Sequence, residues 1–374
     1  MSKVLKKKKK IIKKTVIKKK IVKKTVKKVV KKTVKKLAKT LKLVRFSHNP
    51  IIEPRAYSWE SKATLNPAAF LTDGKIHLIY RAIGDNDVSV LGYASTIDGF
   101  RLEERPTYSV YHKYGKFEKS EEPINYVSGG GWNGGCEDPR ITLINDIVYM
   151  LYTAFDGWGS VRIALTSIKL EDFKKRKWNW KSPVLISPPG EIHKNWVLFP
   201  EKINGKFTIL HSISPEIMID YFDNLNELNG NKFIHSVHQN DPRWQLRERG
   251  IRGIGPTPIK TELGWLILYH KIEEHDPNRY KLFAMILDFK NLTKILYRSQ
   301  NPILEPDEYY ENNGFKAGVI YSCGAIVKNG ILFVYYGGAD SVVCVATIKL
   351  SNLLDDLLKN KIVKLEKNKI LKFQ

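Results

Sequence analysis

An all-β body built from a repeated four-stranded unit, a five-bladed β-propeller behind a lysine-rich N-terminal arm, is predicted by three observations. The basic charge is confined to one end of the chain. Short apolar runs recur behind tight-turn dipeptides. Those runs share a common period and a common marker residue.

The chain has 374 residues, with 63 Lys+Arg against 38 Asp+Glu and a formal net charge of +25. Residues 1–44 hold 21 of the lysines and no acidic side chain, so the other 42 basic and 38 acidic residues leave 45–374 at +4. A uniformly basic nucleic-acid-binding body is excluded, and the two parts are read as an arm (1–44) and a globular domain (45–374). With 43% hydrophobic and 11% aromatic content the domain is long enough to bury a large core. No apolar run reaches the roughly 18 residues of a membrane span, and the N-terminus lacks the apolar stretch and cleavage site of a signal peptide. Three cysteines (Cys136, Cys323 and Cys344) without CxxC spacing indicate neither disulfides nor a zinc site, and point to the cytoplasm.

The arm repeats Lys-Lys-Thr-Val at 13–16, 23–26 and 31–34. Val26, Val30, Val34, Leu37, Leu41 and Val44 fall on one helical stripe ringed by lysine. In water so many like charges favour disorder. Against an anionic lipid surface or another polyanion the segment is expected to fold as an amphipathic helix. A solvated extension without a partner is the alternative. No aromatics are interleaved for base stacking.

In the domain, Asp73-Gly74, Asn145-Asp146, Asn204-Gly205 and Asn329-Gly330 read as hairpin turns. The runs behind them, such as Lys75-Ile-His-Leu-Ile-Tyr80 and Ile331-Leu-Phe-Val-Tyr-Tyr336, align with Trp265–His270 behind Gly264. Taking Gly74, Asp146, Gly205, Gly264 and Gly330 as origins, the spacings are 72, 59, 59 and 66 residues. Each interval holds about four strands of roughly 5–6 residues, which is the unit of a propeller blade. The sixth residue after each origin is Tyr80, Tyr152, His211, His270 and Tyr336. Pro67, Pro139, Pro200 and Pro258, with Gly324 in the fifth repeat, precede the turns and are expected at strand starts, because proline cannot donate to a ladder. Radial repetition brings equivalent positions to one central pocket. Asn66, Arg81, Glu137-Asp138-Pro139-Arg140, Lys260 and Asp340 are such positions, and charges there are costly unless paired or turned to a ligand.

Five segments, in order, carry a family resemblance: Gly135-Cys-Glu-Asp-Pro-Arg-Ile-Thr142, Leu198-Phe-Pro-Glu-Lys-Ile-Asn-Gly-Lys206, Gly253-Ile-Gly-Pro-Thr-Pro-Ile-Lys-Thr-Glu262, Asn301-Pro-Ile-Leu-Glu-Pro306 and Tyr335-Tyr-Gly-Gly-Ala-Asp340. Together they resemble glycoside hydrolase family 130, the β-mannoside phosphorylases and related mannosidases, over roughly residues 45–350. The resemblance implies a five-bladed propeller and an inverting reaction on a β-linked mannoside, a mannobiose or mannosyl-oligosaccharide. It implies no cofactor, only inorganic phosphate as co-substrate, with α-mannose 1-phosphate as product. Asp138 would be the general acid, acting through the sugar's 3-hydroxyl. Such an acid needs a raised pKa, which burial beside Glu137 favours and Arg140 opposes. Arg81, Arg140, Lys260 and His270 would bind phosphate. Asn66, Glu137, His211, Tyr336 and Asp340 would bind the sugar.

One departure stands out. Leu210-His211-Ser212-Ile213 occupies the place where many phosphorylases of the family read Leu-His-Arg-Pro, so one arginine of the implied cluster is missing. Inverting hydrolysis is therefore an alternative, with Glu201 or Glu216 as base roughly 6.5–9.5 Å from the acid. A non-catalytic glycan-binding propeller is a third reading, disfavoured because Glu137, Asp138 and Arg140 occur together. No P-loop and no H-E-x-x-H motif is present. Glu191 and His193 are two candidate ligands without a third, so no metal is expected. The glycine-rich stretch 129–135 reads as an approach to the pocket, with Trp132 free to stack on a sugar, and Cys136 and Cys323 read as packed residues. Loops 112–135 and 229–250 are expected to form the rim. A homo-oligomer is compatible with the sequence.

Overall fold

The computed structural model describes residues 41–112, 133–156 and 161–359. The arm up to residue 40, with its predicted stripe from Val26 to Leu37, lies outside the described residues, as do Trp132 and most of the 112–135 loop. Val44, predicted as the last residue of the helical stripe, instead opens strand β1 (Val44–Arg45).

Consecutive antiparallel strands follow. β2 (Ala63–Thr72), β3 (Lys75–Ile83) and β4 (Ser89–Thr96) form one meander. β5 (Gly135–Ile144), β6 (Ile147–Phe155), β7 (Val161–Lys169), helix α1 (Leu170–Lys174) and β8 (Val184–Leu185) form the next. The two meanders are joined by one parallel bridge, Ser89 to Gly135. β9 (Val197–Leu198), β10 (Phe207–Ile213) and β11 (Ile217–Phe222) make a three-stranded sheet. β12 (Ile251–Ile254), β13 (Ile259–Thr261), β14 (Gly264–Glu273), β15 (Asp276–Leu287) and β16 (Ile295–Arg298) make a five-stranded one. After helix α2 (Tyr309–Asn312) come β17 (Ile320–Lys328), β18 (Ile331–Gly338), β19 (Val342–Lys349) and helix α3 (Leu350–Leu358). β1 adds to β19 with Val44 opposite Thr347, so the start of the domain completes its last sheet.

The hairpin turns fall where the dipeptides predicted. Asp73-Gly74, Asn204-Gly205 and Asn329-Gly330 all take positive φ at both residues, the backbone that two-residue hairpins require. The core lies between successive strand groups. Phe70, Tyr93, Phe173 and Trp180 pack between the first two. Trp196, Leu198 and Phe222 pack between the second and third, and Phe199, Trp265 and Met285 between the third and fourth. Phe333, Tyr335 and Val345 pack against Tyr80 and Leu78 between the last group and the first.

Pro258 directly precedes β13, as expected of a strand start, and Pro200 follows β9, but two prolines differ from expectation. Pro67 and Pro139 sit inside β2 and β5, not at strand starts, where the pairing register slips between Leu65 and Ala68 and between Glu137 and Arg140. A bulge leaves a residue outside the ladder, so the missing proline N–H costs no hydrogen bond there. Gly324 lies at the matching slip in β17, and a Cβ on it would stand 2.5 Å from the backbone nitrogen of Ala69. Only glycine lets β17 approach β2 this closely.

Candidate functional site

The residue before each bulge proline, Asn66 and Asp138, has left-handed backbone, with φ of 48° and 50°. Asn and Asp tolerate that conformation better than other side-chain-bearing residues. The kink brings the two side chains together: the Asn66 Nδ2 amide donates to Asp138 Oδ1 at 2.7 Å. Asp340, also left-handed at φ 52°, comes from the turn between β18 and β19. All three line a cavity of about 110 Å³, together with Tyr321 and Tyr280. The buried Asn66 Oδ1 has no hydrogen-bond partner among the described residues and lies against Gly337, where a Cβ would stand 2.2 Å from it.

Two buried arginines brace this wall. Arg81 donates to Glu137 Oε1 at 2.9 Å, to Asp138 Oδ1 at 3.3 Å and to Ser89 Oγ at 2.9 Å. Arg140 donates to the Asp138 carbonyl oxygen at 2.7 Å, to Asn195 Oδ1 at 2.8 Å and to the Ile254 carbonyl oxygen at 3.3 Å. The Tyr321 hydroxyl also donates to Asn195 Oδ1. Neither arginine, nor Glu137, is among the residues lining the cavity.

The electrostatics divide the two carboxyls. Burial pushes Asp138 up, but Arg81, Arg140 and Lys194, with the Asn66 hydrogen bond, pull it net below the usual carboxylate range. Burial pushes Asp340 up to about 7, against the pull of Lys316 and with the push of Asp138. Of the two carboxyls lining the cavity, Asp340 is thus the one that retains a proton near neutrality, and the tension left open at Asp138 is decided by its cations.

Several predicted residues are elsewhere. Lys260, beside the β13–β14 turn, pairs its ammonium with Glu201 at 2.6 Å on the surface and lines neither of the cavities described here. His270 is fully buried, stacked on Tyr321 at 4.1 Å, and its Nε2 accepts from the Ser322 N–H at 2.9 Å. Burial, aided by Arg140, lowers its pKa to about 3, so it is a neutral packing group and supplies no positive charge to an anion. Tyr336 donates its hydroxyl to Glu311 Oε1 at 2.7 Å inside the core. Tyr80 on Glu60 and Tyr152 on Tyr111 are hydrogen-bonded in the same manner, which gives the three repeated tyrosines a structural role. Glu191 holds His193 at 2.6 Å and His238 at 3.5 Å. Cys136 and Cys323 are buried.

His211 lies on a second, larger cavity of about 290 Å³, where its Nε2 faces Asp220 at 3.2 Å. Lys194, Asn195 and Arg252 line both cavities, which therefore adjoin. Arg247, Trp244 and Ser212 complete the larger one, and no carboxylate is among its lining residues. Lys194, Arg252, Arg247 and Lys316 are cations that the motif reading missed. Asn195 and Arg252 stand just outside two of the family-like segments, three residues before Leu198 and one before Gly253, so widening those segments slightly would have included them. Glu201 and Glu216, considered as hydrolytic bases, line neither cavity and pair with Lys260 and Arg243.

Comparison with known proteins gives the family of the chain. The model of glycoside hydrolase family 130, described as beta-1,4-mannooligosaccharide phosphorylase, matches residues 24–359. The 1,2-beta-oligomannan phosphorylase of Thermoanaerobacter sp. (strain X514) is 38% identical over 326 residues, 84% of this chain and 99% of that protein. The beta-1,2-mannobiose phosphorylase of the same organism is 36% identical, covering 82% and 97%. The structure of beta-1,2-mannobiose phosphorylase from Listeria innocua, solved with beta-1,2-mannobiose, is alike in fold, with a TM-score of 0.63 at 24% identity over 85% of this chain and 99% of that one.

Proposed function

The chain belongs to glycoside hydrolase family 130, and from that membership we propose that it carries out inverting phosphorolysis of a β-1,2-linked mannobiose or oligomannan to α-mannose 1-phosphate. The observation that carries the reading is the pair of adjoining cavities, a small one bearing Asp138 and Asp340 and a larger one bearing cations without carboxylates. A mannosyl ring occupies the first, hydrogen-bonded by Asn66 and Asp340. Inorganic phosphate, the only co-substrate, lies at the second beside Lys194 and Arg252, and no cofactor is needed.

A phosphate oxygen attacks the anomeric carbon while the bond to the leaving sugar oxygen breaks. The proton leaves the Asp138 carboxyl, passes through the ring 3-hydroxyl and arrives on that leaving oxygen. A nucleophile that is already anionic needs no protein base, which fits a site whose candidate bases Glu201 and Glu216 stand outside both cavities. Asp138 must be protonated to act, and its neighbouring cations oppose this. A phosphate dianion beside Lys194 offsets one of them, so co-substrate binding raises the proton affinity of the acid. Arg81 and Arg140 act by fixing Asp138 and Asn195 rather than by touching phosphate. The five antiparallel groups are read as five blades closed into a ring by β1 on β19.

Incubation with β-1,2- and β-1,4-mannobiose, with and without phosphate, tests the reading. α-Mannose 1-phosphate formed only in the presence of phosphate is expected. Free mannose released equally well without phosphate would overturn it in favour of hydrolysis, and binding without turnover in favour of a glycan-binding protein.

A further inference from the structure

We propose that Arg247, which follows the 3₁₀ turn Pro242–Leu246 and lines the larger cavity, binds the inorganic phosphate in place of the arginine missing at position 212; the inference rests on the phosphorylase reading above. Ser212 itself is committed locally. Its hydroxyl faces the carbonyl oxygens of Ser214 at 3.2 Å and Glu216 at 3.0 Å, so its single proton serves its own turn. That wall of the cavity offers an anion no charge.

Position 247 is held from both sides. Upstream, Asp241 caps the 3₁₀ turn Pro242–Leu246, and Arg243 pairs with Asp241 at 2.6 Å and with Glu216 at 2.9 Å. Downstream, the Glu248 N–H donates to Ser214 Oγ at 2.7 Å, and the Glu248 carboxylate takes Lys271 and Arg298, each at 2.7 Å. These acidic groups are thus engaged by cations other than Arg247. Among the described residues Arg247 has no carboxylate within ion-pair distance, and neither does Arg252 on the same cavity.

The Arg247 guanidinium lies over the Trp244 ring at 3.8 Å. The indole restricts the long side chain before any ligand arrives, which lowers the entropy lost on binding. Burial and the charge of Arg252 both work against the Arg247 cation. Like charges gathered beside Lys194 in a cavity lined by no carboxylate are relieved when an anion joins them. A guanidinium fork matches two phosphate oxygens, the geometry an ammonium cannot copy.

The test is calorimetric titration of the full-length protein with inorganic phosphate alone, followed by steady-state kinetics on β-1,2-mannobiose. Arg247→Gln is expected to weaken phosphate binding and raise KM for phosphate by about tenfold or more, with KM for mannobiose within about twofold of wild type. Ser212→Arg on that background is expected to recover most of the phosphate affinity, and Arg247→Lys to fall between the two. Unchanged phosphate affinity in Arg247→Gln, with wild type binding phosphate and turning over, would overturn the assignment while leaving the phosphorylase reading intact. Wild-type protein that neither binds phosphate nor uses it would overturn both.

Discussion

Asn66 and Asp138, 72 positions apart, meet at 2.7 Å because each precedes a bulge proline and each has left-handed backbone. The same local device, used in two successive repeats, supplies both the carboxyl proposed as the acid and the amide that hydrogen-bonds it.

Asp138→Asn retains the shape and the left-handed tolerance of the residue but removes its proton. A loss of kcat of about 10²–10⁴-fold is expected, the usual share of a general acid, with an unaltered circular dichroism spectrum. Residual activity near wild type would remove Asp138 from the mechanism.

Two variants at position 66 separate backbone from side chain. Asn66→Gly keeps the left-handed conformation and deletes the amide, so activity should drop with little loss of thermal stability. Asn66→Ala also forces a Cβ residue into that conformation, and should cost about 1–2 kcal/mol more in denaturant unfolding.

Arg81→Met leaves Glu137 buried without the guanidinium at 2.9 Å, with Lys194 at 3.3 Å remaining beside it. Unfolding in urea should show a destabilisation of about 3–5 kcal/mol. Adding Glu137→Gln should return part of it, since the uncompensated charge goes too.

The pH dependence of stability is expected to hide two opposed groups. Asp340, with a native pKa of about 7 against 3.8, stabilises the fold fully below pH 3.8 and loses that contribution as pH rises through 7. His270, with a native value of about 3 against 6.5, stabilises above 6.5 and loses its contribution as pH falls towards 3. Between these values, at about pH 4 to 6.5, the two slopes cancel. Asp340→Asn should therefore make stability rise with pH across that window more steeply than in wild type, by up to about 1.4 kcal/mol per pH unit. Replacing His270 by Phe should tilt it the other way. Urea midpoints taken at pH 4.5, 5.5 and 6.5 would contradict this if both variants ran parallel to wild type.

Turn chemistry made the repeats legible, because Asn-Gly and Asp-Gly pairs mark hairpins whatever surrounds them. Asn66 and Asp138 were legible for a related reason, since each stands seven positions before its turn and precedes a proline. Lys260 stands only three positions before Leu263 in its turn, on the short strand β13, whose pairing with β14 shows no register slip. Tyr336 and His270 share a repeat position and are both buried in the core, Tyr336 donating to Glu311 and His270 Nε2 accepting from the Ser322 N–H. Lys194, Arg247 and Arg252 lie in or beside irregular segments whose course no repeat fixes, so no period points to them.

The pairing of Val44 with Thr347 gives the domain a clasp whose halves are made at opposite ends of synthesis. During translation β1 must wait, unpartnered, until some three hundred further residues have emerged, while β19 is born beside its hairpin mate β18. Closure of so long a loop makes the final step of assembly slow and leaves the last sheet's edge open to other chains meanwhile. Truncation just beyond residue 45 would therefore be felt first as aggregation of the newly made protein.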